Sequence, residues 1–278
     1  MIENIGFMQG RLSPLYKGKI QCFPIFHWEN EFKIAHSIQF KKMEWTLDDD
    51  DIFKNPLLNI NGQIKIKELC NIYNISISSI TGDCFMQKPF WKEKNLSILK
   101  ILDTKFESIC NACKNLKIKY IVIPLVDNGR LENYRQKVNL FEYLMLKKNL
   151  LEKSDVSILF ESDYEPKKLY KFIQELPTDR FGINFDTGNS ASLGFNPDDE
   201  FQLYGDRIKN VHIKDRVLGG GTVPLGKGNT NFESVFKNLF SINYKGNLIL
   251  QTARSNNNKH AFVLDKYRLM IEQWISNY

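Results

Sequence analysis

Four short, mostly apolar segments in the second half of the chain each end in one side chain that can bind a metal ion. They are ILFE (158–161), INFD (183–186), NVH (210–212) and LILQ (248–251), which end at Glu161, Asp186, His212 and Gln251. Carboxylate and carbonyl oxygens suit Mg²⁺ or Mn²⁺, and one imidazole shifts the preference toward Mn²⁺, Co²⁺ or Zn²⁺. Any one of these residues, taken singly, is better explained as a helix cap. The set of four predicts one divalent metal ion, with Mn²⁺ or Mg²⁺ favoured and Zn²⁺ or Co²⁺ as alternatives.

These segments belong to an alternation of strand and helix patterns along the whole chain. Runs with strand character occupy residues 5–9, 42–46, 76–81, 120–124, 156–161, 181–186, 209–213 and 247–251. Helical patterns lie around 28–39, 62–74, 94–117, 132–153, 166–176, 197–206, 230–242 and 259–276. Eight strand and helix units predict an α/β fold of the (β/α)8 TIM-barrel type. No linker divides the chain, so we expect a single domain over residues 1–278.

Composition narrows the class of protein. Of the 278 residues 42% are hydrophobic and 25% charged, which is typical of a globular protein and excludes disordered and fibrous classes. No apolar run reaches about 18 residues and the start lacks a secretory pattern, so we expect a cytoplasmic protein without a membrane span. A net charge of +6 is too small to predict nucleic-acid binding. Five cysteines, an odd number, predict free thiols.

Six short motifs lie at or near the predicted strand ends. They are GFMQGR (6–11), MEW (43–45), FE (160–161), DTG (186–188), VHIKD (211–215) and PLGKG (224–228). With them the chain resembles the xylose-isomerase-like barrels, often described as sugar phosphate isomerases and epimerases. The resemblance implies that the carboxyl ends of the strands hold one divalent metal through a Glu, an Asp, a His and a second Glu, as in the branch of ketose 3-epimerases and hydroxypyruvate isomerases. Glu161, Asp186 and His212 match the first three.

Two positions depart from this family pattern. Gln251 stands where the family has its second glutamate, and Asn189 replaces a histidine that often follows the aspartate. Glutamine still offers a carbonyl oxygen to a metal but cannot accept a proton at neutral pH. Epimerisation usually needs two bases, whereas isomerisation through an enediolate can use one, so we expect an isomerase with Glu161 as its base. Lys214 and His260 are candidates for a second proton-transfer group, as is Asp215.

The substrate is expected to be a small sugar, a sugar phosphate or a sugar acid. The predicted substrate-binding residues near the barrel rim are Arg11, Glu44, Asp83, Asn189, Arg216 and Arg254. The three arginines of this set favour an anionic substrate, although cationic side chains at a barrel rim are often solvated or paired with carboxylates. The aromatic content of 13% is compatible with a homodimer interface.

Alternative functions follow from the same residues. The first is a ketose or polyol epimerase or dehydratase at the same site, and the second is a sugar-binding barrel that has lost catalysis because of Gln251. Residues 221–228 almost form a nucleotide-binding P-loop, but Gly228 stands where that motif needs Ser or Thr. The related endonucleases that cut DNA with three zinc ions need several histidines, but of the four in this chain only His212 lies at a predicted strand end. Both of these readings are therefore disfavoured.

Overall fold

The computed structural model describes residues 1–50, 52–255 and 257–278. Within this part of the chain, eight parallel strands close into a barrel in the order β1-β10-β7-β6-β5-β4-β3-β2. The barrel strands are β1 (Ile5–Met8), β2 (Lys42–Thr46), β3 (Ser76–Thr81), β4 (Tyr120–Leu125), β5 (Ser157–Ser162), β6 (Phe181–Asp186), β7 (Ile208–Ile213) and β10 (Asn247–Leu250). The predicted (β/α)8 barrel is confirmed, and every strand boundary lies within one residue of its predicted place.

Helices surround the barrel. They are α1 (Trp28–Ser37), α2 (Ile60–Tyr73), α3 (Asp83–Gln87), α4 (Leu96–Leu116), α5 (Tyr134–Leu146), α6 (Lys148–Ser154), α7 (Pro166–Gln174), α8 (Thr187–Leu193), α9 (Pro197–Tyr204), α10 (Phe232–Ser241) and α11 (His260–Ile275). The pattern predicted over 132–153 is two helices that meet at Lys147, and no glycine or proline marks that break. The short helices α3 and α8, each starting within two residues of the end of a barrel strand, were not predicted.

Capping residues explain where many of these helices begin. The side chains of Asn95, Asn133 and Asn231 accept hydrogen bonds from backbone N–H groups in the first turns of α4, α5 and α10. Helices α7 and α9 have proline in the first turn, where a missing N–H costs nothing. These caps fix the ends of the loops that follow the strands, and those loops carry the site.

A hairpin extends the loop after β7. Its strands β8 (Asp215–Arg216) and β9 (Thr222–Val223) pair in antiparallel fashion beyond the carboxyl end of the barrel.

The apolar core fills the space between the sheet and the helices. Some buried side chains are polar: Glu44, Asn184 and Asn210 on the barrel strands are at most 2% exposed. In the described part of the chain, no helix has the length and hydropathy that a bilayer crossing requires. The cysteines are free, as predicted, and Cys110 and Cys113 are buried in α4.

Candidate functional site

A cavity of about 400 Å³ opens at the carboxyl ends of the barrel strands. Glu161 of β5, Asn189 of α8 and Lys214 and Arg216 after β7 line it, together with Gln251 after β10. Each follows or ends a parallel strand, so the barrel itself brings them together. With Asp83 at the start of α3, six of the residues predicted for the site from the sequence therefore share one cavity.

Three predicted metal ligands form a tight cluster there. One ligand atom from each of Glu161, Asp186 and His212 lies within 4.8 Å of the other two, and all three residues are buried. Strand register contributes, because Asp186 of β6 pairs directly with His212 of β7. Ligands on opposite sides of one ion are about 4.4 Å apart when each bond is about 2.2 Å. Small shifts would let these atoms share an ion.

Gln251 offers a candidate fourth ligand atom, its amide oxygen. Its Nε2 donates to Oε1 of Gln21 at 2.7 Å, while its buried Oε1 has no hydrogen-bond partner among the described residues. A buried carbonyl oxygen without a partner is costly unless a ligand or water meets it. Two carboxylates, an imidazole and an amide oxygen therefore fit a divalent cation, and the residues present are compatible with the predicted metal.

The carboxylate of Glu161 is held from several sides. Its Oε1 accepts a hydrogen bond from Asn189 Nδ2 at 2.7 Å, and its Oε2 accepts one from Asn184 Nδ2 at 2.9 Å. Oε2 also lies 3.0 Å from Nδ1 of His212. Asn189 in turn accepts a hydrogen bond from Arg216 at 2.8 Å. The residue that replaces the family's histidine therefore links the predicted base to a cavity cation.

His212 has a carboxylate on each side of its ring. Nε2 lies 2.7 Å from Oε1 of Glu44, and both side chains are completely buried. Burial by itself lowers the pKa of His212, but attraction to Glu44 and Glu161 outweighs it and raises the pKa to about 10. The imidazole is therefore protonated at neutral pH, and an ion that bound through Nδ1 would displace a proton.

Asp186 ends β6 and caps α8. Its Oδ1 accepts the N–H of Asn189 at 2.8 Å, and its Oδ2 accepts a hydrogen bond from Lys214 Nζ at 2.9 Å. Gly188 lets Lys214 approach this closely, because a Cβ there would lie 2.7 Å from the lysine side chain. Lys214, predicted as a proton-transfer group, is thus paired with a candidate metal ligand at the cavity wall.

The glycine-rich loop at 224–228 surrounds a carboxylate of this chain. Asp215 Oδ2 accepts hydrogen bonds from the N–H groups of Gly226, Lys227 and Gly228 at 2.8–3.1 Å, and Oδ1 accepts one from Thr230 at 3.1 Å. Asp215 is 1% exposed. Both oxygens of Asp215 therefore accept hydrogen bonds from the loop, which corrects the prediction that it serves as a proton-transfer group. The backbone amides that would bind a phosphate in a P-loop already donate to Asp215.

A bridge across the cavity involves a residue that the sequence analysis missed. Gln21, in the loop after β1, accepts a hydrogen bond from Gln251 and donates one to Asp83 Oδ2 at 2.8 Å. Asp83 also lines the cavity, and burial raises its pKa to about 6. No motif marks Gln21, because its role depends on how a long loop folds back over the barrel. Asn184 and Asn210 were missed too, although each lies two residues before a predicted ligand and so shares its face of the strand.

Four predicted site residues belong neither to the cavity lining nor to the cluster of three metal ligands. Arg11 donates to the carbonyl of Ile20 at 3.0 Å, and burial lowers its pKa to about 10. Arg254 donates to the carbonyls of Gly10 and Ser13. Both arginines thus hold the loop after β1 through its carbonyl oxygens.

The other two are His260 and Glu44. His260 starts α11 with its side chain buried, and burial lowers its pKa. Neither of its ring nitrogens has a hydrogen-bond partner among the described residues. Glu44 lies in the barrel interior against His212. The structure does not bring either residue to the cavity wall.

Comparison with known proteins shows the family and the fold. The model of the xylose isomerase-like TIM barrel family matches residues 32–270. The chain belongs to this family. SgbU of Escherichia coli strain K12, named for L-ribulose-5-phosphate 3-epimerase activity, is 32% identical over 91 residues, which is 30% of this chain and 32% of that protein. The inosose dehydratase of Clostridium botulinum is 36% identical over 86 residues, covering 24% of this chain and 28% of that protein.

The chain thus spans about a third or less of the length of these curated relatives. Solved structures match over almost the whole chain. The IolI protein with a bound zinc atom has a TM-score of 0.77 at 15% identity, with 99% of both chains covered. A D-allulose 3-epimerase from Methylomonas sp. has a TM-score of 0.76 at 15% identity, with 98% of this chain and 97% of that one covered. At such identities these structures support the fold.

Proposed function

We propose that the protein is a metal-dependent isomerase that acts on a small sugar or sugar derivative through an enediolate. The observation that carries the proposal is the cluster of Glu161, Asp186 and His212, within 4.8 Å of one another in a family of sugar isomerases and epimerases. A divalent ion held by these residues and Gln251 would polarise a carbonyl and stabilise developing negative charge. The cavity of about 400 Å³ has room for a monosaccharide.

Glu161 acts as the general base. It removes the proton from the carbon next to the carbonyl, the C–H electrons form the enediolate double bond, and the carbonyl oxygen becomes negatively charged. Glu161 then returns the proton to the neighbouring carbon on the same face, while the hydroxyl proton of the enediolate passes to the former carbonyl oxygen. The carbonyl thereby moves by one position, and no proton is gained or lost overall. Asn189 orients the carboxylate by donating to Oε1, which leaves Oε2 on the side of His212.

Two cations face the developing charge. Lys214 and Arg216 both line the cavity. The guanidinium of Arg216 donates to the backbone carbonyl of Gly220 and to the side-chain oxygen of Asn189, and it forms no ion pair with a carboxylate of the described residues. They would stabilise an enediolate, and they would equally favour a phosphate or carboxylate on the substrate. A sugar phosphate or sugar acid is therefore included in the proposed substrate class.

A second candidate function is epimerisation, and Asp83 is the observation that favours it. Its carboxyl lines the same cavity as Glu161, and Gln21 connects it to Gln251 by hydrogen bonds of 2.7 and 2.8 Å. A pKa of about 6 lets Asp83 carry or release a proton near neutral pH. A second proton-transfer group of this kind would replace the glutamate that Gln251 lacks.

The test is proton exchange in heavy water. Protein supplied with Mn²⁺ is incubated in D₂O with a panel of ketoses, their phosphates and inososes, and deuterium incorporation is followed by NMR. We expect incorporation next to the carbonyl, slower by about 10²- to 10⁴-fold in Glu161→Gln. Glu152→Gln, at an exposed glutamate of α6, is the matched control and should leave the rate unchanged.

Product stereochemistry separates the candidates. A product whose carbonyl lies on the neighbouring carbon indicates isomerisation. A product with inverted configuration at one carbon, formed by the wild type but not by an Asp83 variant, indicates epimerisation. Exchange in Glu161→Gln equal to that of the wild type would refute the role of the base, and absence of exchange with every ketose and inosose would refute the proposed enzyme.

A further inference from the structure

A buried polar network lies beneath the candidate metal site, inside the barrel. Four side chains on four strands form it, and each is at most 2% exposed: Glu44 of β2, Ser79 of β3, Asn184 of β6 and Asn210 of β7. We call these four residues the interior frame. Barrel interiors are usually filled with branched apolar side chains, so a polar frame at this depth requires an explanation.

Glu44 is fixed by three hydrogen-bond partners. Its Oε2 accepts from Ser79 Oγ at 2.6 Å and from Asn210 Nδ2 at 2.9 Å. Its Oε1 faces His212 Nε2 at 2.7 Å. Because a carboxylate oxygen can only accept, Nε2 must carry a proton and keeps it when an ion binds. The proton that an ion would displace is the one on Nδ1, which lies 3.0 Å from Glu161 Oε2 on the side of the predicted ion.

Asn210 connects this half of the frame to the base. The same Nδ2 that donates to Glu44 also donates to Asn184 Oδ1 at 2.7 Å, which sets the orientation of the Asn184 amide. Asn184 Nδ2 then lies 2.9 Å from Glu161 Oε2 and 3.0 Å from His212 Nδ1. The pairing of Asn184 with Asn210, and of Asp186 with His212, follows from the register of β6 on β7. One amide group therefore touches both a candidate ligand and the base.

We propose that Glu44 and Asn210 are positioning residues of the metal centre, which fix the ring orientation of His212 and, through Asn184, the carboxylate of Glu161. The inference rests on the proposed function, since it concerns the same centre. Carboxylates that hold the second nitrogen of a ligating histidine commonly contribute about 10- to 100-fold to metal affinity. Glu44, which the sequence predicted as a substrate-binding residue, acts in this proposal from below the site.

The experiment compares three variants by two measurements. Glu44→Gln keeps the size of the side chain but removes its charge, and Asn210→Ser breaks the connection between Glu44 and Asn184. Asn247→Ser is the matched control. Asn247 is also buried and donates to Asn210 Oδ1 at 3.0 Å, but among the described residues no hydrogen bond joins it to His212 or Glu161. NMR of ¹⁵N-histidine-labelled protein without added metal reports the His212 ring, and electron paramagnetic resonance of free Mn²⁺ reports affinity.

With only four histidines in the chain, His212→Gln assigns the ring signals of His212. We expect its Nε2–H signal to move upfield in Glu44→Gln, and Mn²⁺ affinity to fall about 10- to 100-fold in Glu44→Gln and Asn210→Ser. Asn247→Ser should bind Mn²⁺ with an affinity within about threefold of the wild type. This holds even if its melting temperature falls as much as those of Glu44→Gln and Asn210→Ser.

Unchanged ring signals in Glu44→Gln, or Mn²⁺ affinity equal to the control in both frame variants, would overturn the positioning roles. If Glu44→Gln does not fold, Asn210→Ser decides the question by the same two measurements. Wild-type protein that binds no Mn²⁺ would instead overturn the proposed function, and the ring signals would then test the frame by themselves.

Discussion

Replacing Asp215 by alanine should destabilise the protein strongly and weaken substrate binding. The carboxylate is 1% exposed and accepts four backbone N–H groups, three from Gly226 to Gly228 and one from Thr230. An unsatisfied buried donor costs about 1–3 kcal/mol, and the lower value applies where water can reach the group. Four donors at about 1 kcal/mol each give a loss of about 4 kcal/mol in the free energy of unfolding. Asp215→Asn keeps an oxygen for three of them and leaves one donor unsatisfied, so it should lose about a quarter as much, about 1 kcal/mol.

Urea denaturation followed by circular dichroism measures these losses, with the exposed Asp179→Ala as control. KM should rise in both Asp215 variants, because Lys214 and Arg216 flank Asp215 and both line the cavity. A loss below about 1 kcal/mol for Asp215→Ala would show that the loop does not depend on this carboxylate and would refute the reasoning.

Three further outcomes are expected. Gln21→Ala should raise KM several-fold with little change in kcat, because it removes the bridge between Gln251 and Asp83 but touches none of the three clustered ligands; steady-state kinetics check this, and a fall in kcat alone would contradict it. Gln251→Glu should increase Mn²⁺ affinity by adding a carboxylate, measured by titration, and unchanged affinity would exclude this position as a ligand. Burial raises the pKa of Glu200 from 4.5 to about 7, so its contribution to stability is present below pH 4.5 and is lost as pH rises to 7, a change of about 3 kcal/mol. Glu200→Gln should remove this dependence in urea denaturation at pH 5 and pH 8, and a parallel loss in both proteins would contradict it.

The fold was predictable because strand and helix patterns alternate along the whole chain. Strands of four to six residues lie between longer helical stretches, and only a closed barrel accommodates eight such units simply. The break at Lys147 was not predictable, since 132–153 keeps one helical pattern without glycine or proline. The short helices α3 and α8 escaped notice because segments of five and seven residues carry too few periodic positions.

The candidate site was predictable where it depends on strand ends. Glu161, Asp186 and His212 meet because parallel strands deliver their carboxyl ends to one face, and this is a property of the fold. Arg11 and Arg254 were assigned to a substrate by charge alone, but their guanidinium groups satisfy carbonyls of the loop after β1. Sequence position does not reveal which way a long side chain turns.

The buried polar residues carried a weaker signal. Asn184 and Asn210 each precede a predicted ligand by two residues, and side chains two apart on a strand share a face. A polar residue at that spacing in an apolar strand indicates a barrel interior that supports a site. Gln21 had no such signal, because its contacts with Gln251 and Asp83 join parts of the chain that are far apart in sequence.

Binding of a divalent ion by the wild-type chain is the measurement that tests the account most directly. Chelator-treated protein is dialysed against Mn²⁺, and bound metal is counted per chain beside the double variant Asp186→Asn with His212→Gln. We predict one ion per wild-type chain and none above background in the variant. Equal binding by both proteins, or none by the wild type, would contradict a metal centre built from Glu161, Asp186 and His212.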